Sequence, residues 1–356
     1  MKVVIAGGGT GGHISPAIAV AEAIWEKKPD TVIDFIATPR PVDQRMYSKI
    51  GSTVHILNPP RIDRGISDIV LLPFRAVREF IRARKLLQEL DASVLFATGG
   101  YPCFFPVAAA RSLGIPSIIH ESNSIPGRAN RLASRFADKV LTGFYSSASG
   151  FRKTTVYTGN PVRLSLRRYD REFAREKLNI PDGVPVVLFL GGSQGARAIN
   201  DIALKVPEGI QVLLQCGSRD KERTKSESPC LQRIQVIDFT DDPALLYSAA
   251  DIAVARSGAM TVAELTWFRI PAVYIPYPFA ADNHQEWNAR EIADKHGALL
   301  VLQDSADADV LWEIVDHLLE DTDEIRRMKN CLEETMHDNP AGIIAEIVMN
   351  TALKGS

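Results

Sequence analysis

Two stretches, one in each half of the chain, are built alike: VVIAGGGTGGHISP from Val3 and VVLFLGGSQGARAIN from Val186. Each passes from β-branched residues through a glycine turn into a helical pattern. An apolar run without polar alternation suits a strand covered on both faces of a sheet. Glycine directly after it lets the backbone turn tightly and bring its N–H groups close to an anion. The helix that follows opens with unsatisfied N–H groups and a partial positive charge. A chain that does this twice is directed towards two parallel sheets with crossover helices. The repeat is architectural and has no short fixed period.

Further apolar runs at 32–37, 94–97, 117–120 and 139–142, then at 212–215, 235–238, 252–255 and 272–275, alternate with helical patterns. The fold class expected is α/β, with two Rossmann-like doubly wound parallel-sheet domains facing a cleft, ligands lying outside the carboxyl ends of the strands. Turn residues and arginines between Asn160-Pro161 and Pro181-Asp182-Gly183 place the boundary there. The expected domains are 1–163 and 164–340, and the terminal helix, 341–356, is expected to pack back on the first.

Composition narrows the function classes. With 356 residues, 46% hydrophobic and 24% charged, the chain suits two globular domains, and a net charge of −2 gives no reason to expect nucleic acid. Cys103, Cys216, Cys230 and Cys331 form no CxxC pair, so neither a zinc site nor a disulfide framework is indicated, as in a reduced compartment. The apolar run after Met1 breaks at once into glycine and is too short for a signal-peptide core. No stretch nears the roughly 20 apolar residues of a membrane span. The expectation is a cytosolic protein whose membrane contact, if any, is peripheral.

The glycine loops admit several ligands. A dinucleotide site needs an acid at the end of the second strand for the ribose. Here that strand ends Ala37-Thr38-Pro39-Arg40, and Asp34 lies inside it. No GK[ST] follows any glycine run, so a Walker-type ATPase also fails. A third loop is Gly99-Gly100-Tyr101, and a further strand–turn–helix spans 251–265, with Ser257-Gly258-Ala259 at the turn. Glu264, on the second helical turn, is placed to accept hydrogen bonds from a diol such as ribose; a solvated helix residue is the plainer alternative.

In order along the chain stand GGTGGHISPAIA (8–19), TGGYP (98–102), HESNSIPGRANRLAS (120–134), GNPVR (159–163), GGSQGARAIN (191–200), ARSGAMTVAELTWFRIPAVYIP (255–276) and HQEWNA (284–289). Together they resemble the bacterial N-acetylglucosaminyltransferases of glycosyltransferase family 28, over nearly the whole chain. Ser122 stands where glutamine is common, and Ser15-Pro16 replaces an aromatic-Pro. The resemblance implies the two-Rossmann GT-B fold, an acceptor domain followed by a UDP-GlcNAc domain. It implies inverting transfer of GlcNAc from UDP-GlcNAc to the muramyl 4-hydroxyl of lipid I, giving lipid II for peptidoglycan, at the cytoplasmic face of the membrane. By matched motif it implies substrate contacts at Thr10, Gly11, Gly12, Asn123, Arg163, Ser193, Ala259, Met260, Thr261, Val262, Ala263, Glu264 and Gln285. Thr240, in a less distinctive turn, would meet uracil through its backbone.

Inverting transfer needs a base. His13 follows the first glycine loop at a helix N-terminus, which would favour its neutral form, with a phosphate contact or a loop cap as alternatives. Glu121 is the second choice. Backbone N–H groups near Ser193 and after Ser257-Gly258, with Arg163, would meet the leaving-group charge. Asp241 and Asp242 are adjacent and splayed, so no essential metal and no cofactor are expected. In 66–90, Val70, Phe74, Val77 and Phe80 form a helical stripe accompanied by Arg75, Arg78, Arg82, Arg84 and Lys85. That pattern suits docking to an anionic membrane surface, or an amphipathic core helix. Competing readings are another family-28-like lipid glycosyltransferase, a UDP-GlcNAc 2-epimerase, or a nucleotide-sugar-binding partner subunit.

Overall fold

The computed structural model describes residues 1–60, 66–192, 195–228, 232–237, 240, 242–336 and 338–354, and of 66–70 only the backbone. The chain forms two compact units, Met1–Leu164 with His337–Ser356, and Ser165–Met336. The first holds β1 (Lys2–Ala6), β2 (Val32–Ala37), β3 (Val54–Ile56), β4 (Val94–Ala97), β5 (Ser117–Glu121), β6 (Lys139–Thr142) and β7 (Thr155–Tyr157). They lie in the order β3-β2-β1-β4-β5-β6-β7, all parallel. The second unit holds β8 (Val186–Leu190), β9 (Gln211–Gln215), β10 (Ile234–Ile237), β11 (Ile252–Ala255), β12 (Ala272–Tyr274) and β13 (Ala298–Leu300). Their order, β10-β9-β8-β11-β12-β13, is again all parallel.

Both sheets change direction beside their first strand, since β1 lies between β2 and β4, and β8 between β9 and β11. Such a switch point opens a crevice at the carboxyl ends of the strands, where doubly wound sheets take ligands. The loops that follow β1 and β8 are the two glycine runs.

Residues of β1, β4, β8 and β11 are almost wholly buried, as the continuous apolar runs require. The helix after β1, α1 (Gly11–Lys27), starts at the glycines themselves, with Thr10 as N-cap and neither a side-chain cap nor an acid in the first turn. Its buried residues Ile14, Ala17, Ile18, Ala21 and Ile24 join Val3, Ile5 and Phe35 in one core. The terminal helix Pro340–Lys354 completes that core with Ala341, Ile344, Ala345, Val348 and Ala352. Lys27 Nζ meets Glu346 at 2.6 Å and Lys139 Nζ donates to Thr351 Oγ1 at 2.9 Å, tying the rim. The sequence put the changeovers at 163–164 and 340–341, whereas the units change over at 164–165 and 336–337. Among the described residues no helix is long and apolar enough to cross a membrane.

If the last helix contributes core to the first unit, neighbouring isoleucines must differ. Ile344→Ala, at 0% exposure, should cost about 2–5 kcal/mol in denaturant unfolding. Ile343→Ala, at 37% exposure, should stay within about 0.5 kcal/mol. Equal losses would contradict this packing.

Candidate active site

The first unit gathers its candidate residues on three loops. After β1, residues 10–13 form the N-cap and first turn of α1, with His13 N–H and Ile14 N–H both donating to Thr10 O, at 3.1 and 3.2 Å. His13 Nδ1 lies 3.1 Å from Thr98 O. A carbonyl only accepts, so Nδ1 carries a proton, and in the neutral ring Nε2 is then the acceptor. Thr98 Oγ1 in turn donates to His13 O at 2.6 Å. One residue at the end of β4 thereby holds both the backbone and the ring of His13. The next loop passes so close that a Cβ at Gly100 would stand 2.8 Å from His13 Cδ2 and 3.0 Å from Nε2.

At the end of β5, Glu121 is 1% exposed and its carboxylate is fully engaged. Oε1 accepts from Asn123 N at 2.9 Å and Asn123 Nδ2 at 3.1 Å. Oε2 accepts from Gly127 N at 3.0 Å and Asn130 Nδ2 at 2.8 Å. A substrate proton taken up on either oxygen would compete with the two donors already on it. The geometry therefore makes Glu121 the organiser of the 122–130 loop. Asn123, whose carbonyl also accepts from Ser147 Oγ at 2.5 Å, is consequently fixed. Asn160 Nδ2 donates to Ser122 O at 2.9 Å, and the buried Nε of Arg163 has no hydrogen-bond partner among the described residues.

In the second unit the helix Ala259–Phe268 begins after Gly258, again with no side-chain cap and no acid in its first turn. Ser257, 0% exposed, has a hydroxyl without a partner among the described residues, while its carbonyl accepts from Asn288 Nδ2 at 3.1 Å. Glu264 is half-buried and accepts from Tyr247 OH at 2.6 Å, so it is a held carboxylate and no solvated helix residue. Gln285 Oε1 accepts from Tyr277 N at 2.9 Å. Thr240 Oγ1 accepts from Asp242 N at 3.1 Å, and the Asp242 carboxylate from Tyr169 OH at 2.7 Å. Ser193 and Asp241 lie outside the described residues.

Several organising residues were not singled out from sequence. Arg256 is 8% exposed, donates through Nη1 to Ile275 O and Pro276 O at 2.9 and 2.8 Å, and stacks on Tyr277 at 5.6 Å. Burial lowers its pKa from the usual arginine value, and no carboxylate pairs with it among the described residues. A cation without a counter-anion beside an uncapped helix start favours a bound anion. Arg256 and Thr98 stand within quoted motifs and Tyr247 outside them, and only packing reveals their partners. Among the described residues no three His, Cys, Asp or Glu side chains gather as metal ligands would.

His120, 0% exposed beside Glu121, donates through Nε2 to Gly159 O at 3.2 Å. Burial pulls its pKa from 6.5 down to about 4. The unfolded chain then binds the extra proton across that window, so stability is whole above pH 6.5 and falls as pH drops towards 4. Between pH 7 and pH 5 this histidine should account for about 2 kcal/mol of lost stability, which His120→Gln should remove from the denaturant-unfolding profile.

Comparison with known proteins matches these features. The family model described as glycosyltransferase family 28 N-terminal domain covers residues 3–142, and the family 28 C-terminal domain covers 186–340. A curated protein of Desulforudis audaxviator, named UDP-N-acetylglucosamine--N-acetylmuramyl-(pentapeptide) pyrophosphoryl-undecaprenol N-acetylglucosamine transferase, is 34% identical over 100% of both chains. One of the same name from Caldanaerobacter subterraneus is 36% identical over 92% of this chain and 94% of its own. The crystal structure of Acinetobacter baumannii MurG superposes with a TM-score of 0.75 at 27% identity, covering 98% of this chain and 99% of that one. Two doubly wound units with an uncapped helix start in each, matched over their full length by such relatives, place the chain in glycosyltransferase family 28.

Proposed function

We propose that the chain transfers N-acetylglucosamine from UDP-GlcNAc to the muramyl 4-hydroxyl of undecaprenyl-pyrophosphoryl-MurNAc-pentapeptide, with inversion, forming lipid II. The names of the relatives supply the substrates. The observation that carries the chemistry is the His13 ring, held at Nδ1 by the Thr98 carbonyl so that Nε2 is the acceptor when the ring is neutral. In the step, the 4-hydroxyl oxygen attacks C1 of the donor sugar as its proton passes to Nε2. The C1–O bond to UDP breaks, and the electron pair leaves with the diphosphate.

Each unit has a task in this reading. Residues 10–12, Asn123 and Arg163 contact substrate in the first. In the second, Glu264 takes the ribose diol, and Gln285 and Thr240 contact sugar and base. The uncapped N–H groups of Ala259, Met260 and Thr261, with the Ser257 hydroxyl, meet the diphosphate charge. Ser193 belongs to the same cradle by motif. No cofactor enters the reaction.

A surface suited to the lipid-linked acceptor lies on α3 (Ile66–Glu89). Leu71, Phe74, Val77 and Ile81, at 44–74% exposure, share one helical stripe. Phe80, named with that stripe from sequence, instead packs against the core with Ala83 and Leu87, one position round the helix; Val70's side chain lies outside the described residues. Arg78, Arg82 and Lys85 are exposed alongside, and Glu79 is buried against Arg82 at 2.9 Å. This face is assigned to an anionic membrane surface on the cytoplasmic side.

Three measurements test the reading. Incubation with UDP-GlcNAc and a lipid I analogue should release UDP with sugar transfer, whereas an epimerase would convert UDP-GlcNAc without acceptor. His13→Ala should melt normally and lose about 10²–10⁴-fold in kcat; near-wild-type turnover removes His13 from the mechanism. Flotation with anionic vesicles should carry the wild type but not Phe74→Ser/Ile81→Ser, and equal binding sinks the patch.

A further inference from the structure

The ribose acid of a dinucleotide site is missing from the end of β2, yet a carboxylate does sit there. Asp43, on α2 (Pro41–Tyr47), is 0% exposed. Its Oδ2 accepts from Thr38 N and Thr38 Oγ1, both at 2.8 Å, and both its oxygens lie 3.0 Å from Gly9 N. Among the described residues no cation forms an ion pair with it, so these N–H and O–H donors balance its charge. The fit is close: a Cβ at Gly8 would stand 2.4 Å from Oδ2. Arg40 Nη1 donates to Gly9 O at 2.5 Å, and Tyr47 OH to Gly7 O at 2.7 Å. The Gly9 residue is thus gripped at its N–H and its carbonyl by one short segment after β2.

Two consequences follow for the reaction. Thr10 comes directly after the gripped residue, and its carbonyl starts the turn that carries His13. Fixing Gly9 therefore fixes the origin of that turn against the sheet, while Thr98 fixes its far end. The Gly9 N–H is also used by an internal anion, so it is not offered to a substrate anion at this loop.

We propose that Asp43 is a positioning residue for the transfer, an internal anion that claims the Gly9 N–H and sets where residues 10–13 stand. The proposal rests on the reading that this turn takes part in the reaction.

Asp43→Asn tests it with little change of shape. The amide keeps one acceptor but turns an NH₂ towards either the Gly9 or the Thr38 N–H, donor against donor. UDP-GlcNAc binding by calorimetry should keep full stoichiometry, because Glu264 and the Ala259–Phe268 helix belong to the other unit. Misplacing the turn should lower kcat by about 10–100-fold, a larger change than any rise in KM, since residues 10–12 also contact substrate. Gly8→Ala, which presses a methyl on the same carboxylate, should show the same split. A kcat within about twofold of wild type in Asp43→Asn overturns the proposal. So does donor-binding stoichiometry that falls in step with kcat, since that reports unfolding. His13→Ala run in parallel separates the two ideas: if it turns over normally while Asp43→Asn does not, the clamp stands and His13 loses its role.

Discussion

Backbone N–H groups at the carboxyl ends of the strands are the scarce resource on which both units depend. A parallel sheet covered on both faces offers polar backbone to a ligand only at its loops and helix starts. Each such donor serves either the protein or its substrate. In the first unit the protein takes a large share: Asp43 holds Gly9, and Glu121 holds Asn123 and Gly127. In the second, the first turn of Ala259–Phe268 has no acid and no cap, and the Ser257 hydroxyl beside it has no partner among the described residues. The division follows the chemistry proposed for each. A proton acceptor needs a rigid mount, whereas a departing diphosphate needs donors held ready for its charge.

Buried acids do the mounting. Each charge-assisted hydrogen bond contributes about 1.5–3 kcal/mol, and a buried carboxylate with an unmet oxygen would cost as much or more. Glu121, with four donors, therefore permits one arrangement of the 122–130 loop and penalises the rest. His120 adds to the same corner a neutral donor to Gly159 and stays neutral because burial disfavours its cation. Arg256 is the counterpart of opposite sign, its guanidinium spread over two backbone carbonyls, the Gln303 amide oxygen and an aromatic face. A buried cation met only by neutral groups raises the local potential near Ser257, which an acid in its place would reverse.

How much of this was legible in the sequence depends on burial. The interior strands could be read because burial on both faces forces an unbroken apolar run, as in β1, β4, β8 and β11. Three strands went unrecognised: β3, β7 and β13. Each has three residues, stands at the edge of its sheet and is partly exposed, so no long apolar run is required of it. The stripe on α3 was read one residue off at Phe80, because the basic residues mark the polar flank but not which apolar side chains turn inward. Glu121 and Asp43 show the same limit in the site. Sequence offers an acid near a loop, and only the count of donors around it separates a base from a mount.

The glycines themselves acquire a second meaning. Their pattern first suggests room for an anion to approach the backbone. At Gly8 and Gly100 the neighbour that forbids a side chain is the protein's own: the Asp43 carboxylate at 2.4 Å and the His13 ring at 2.8 Å. At Gly195 it is the Cys216 carbonyl, 2.3 Å from where a Cβ would be. These positions are glycine because loops from neighbouring strands must pass in contact at the switch point. Crowding of that kind is what brings Thr98 against His13, two residues 85 positions apart in the chain. A glycine run after a parallel strand therefore marks a place where several strand ends converge, and a ligand site is one outcome of that convergence. In the first unit the convergence builds the mount, in which Asp43 takes the Gly9 N–H.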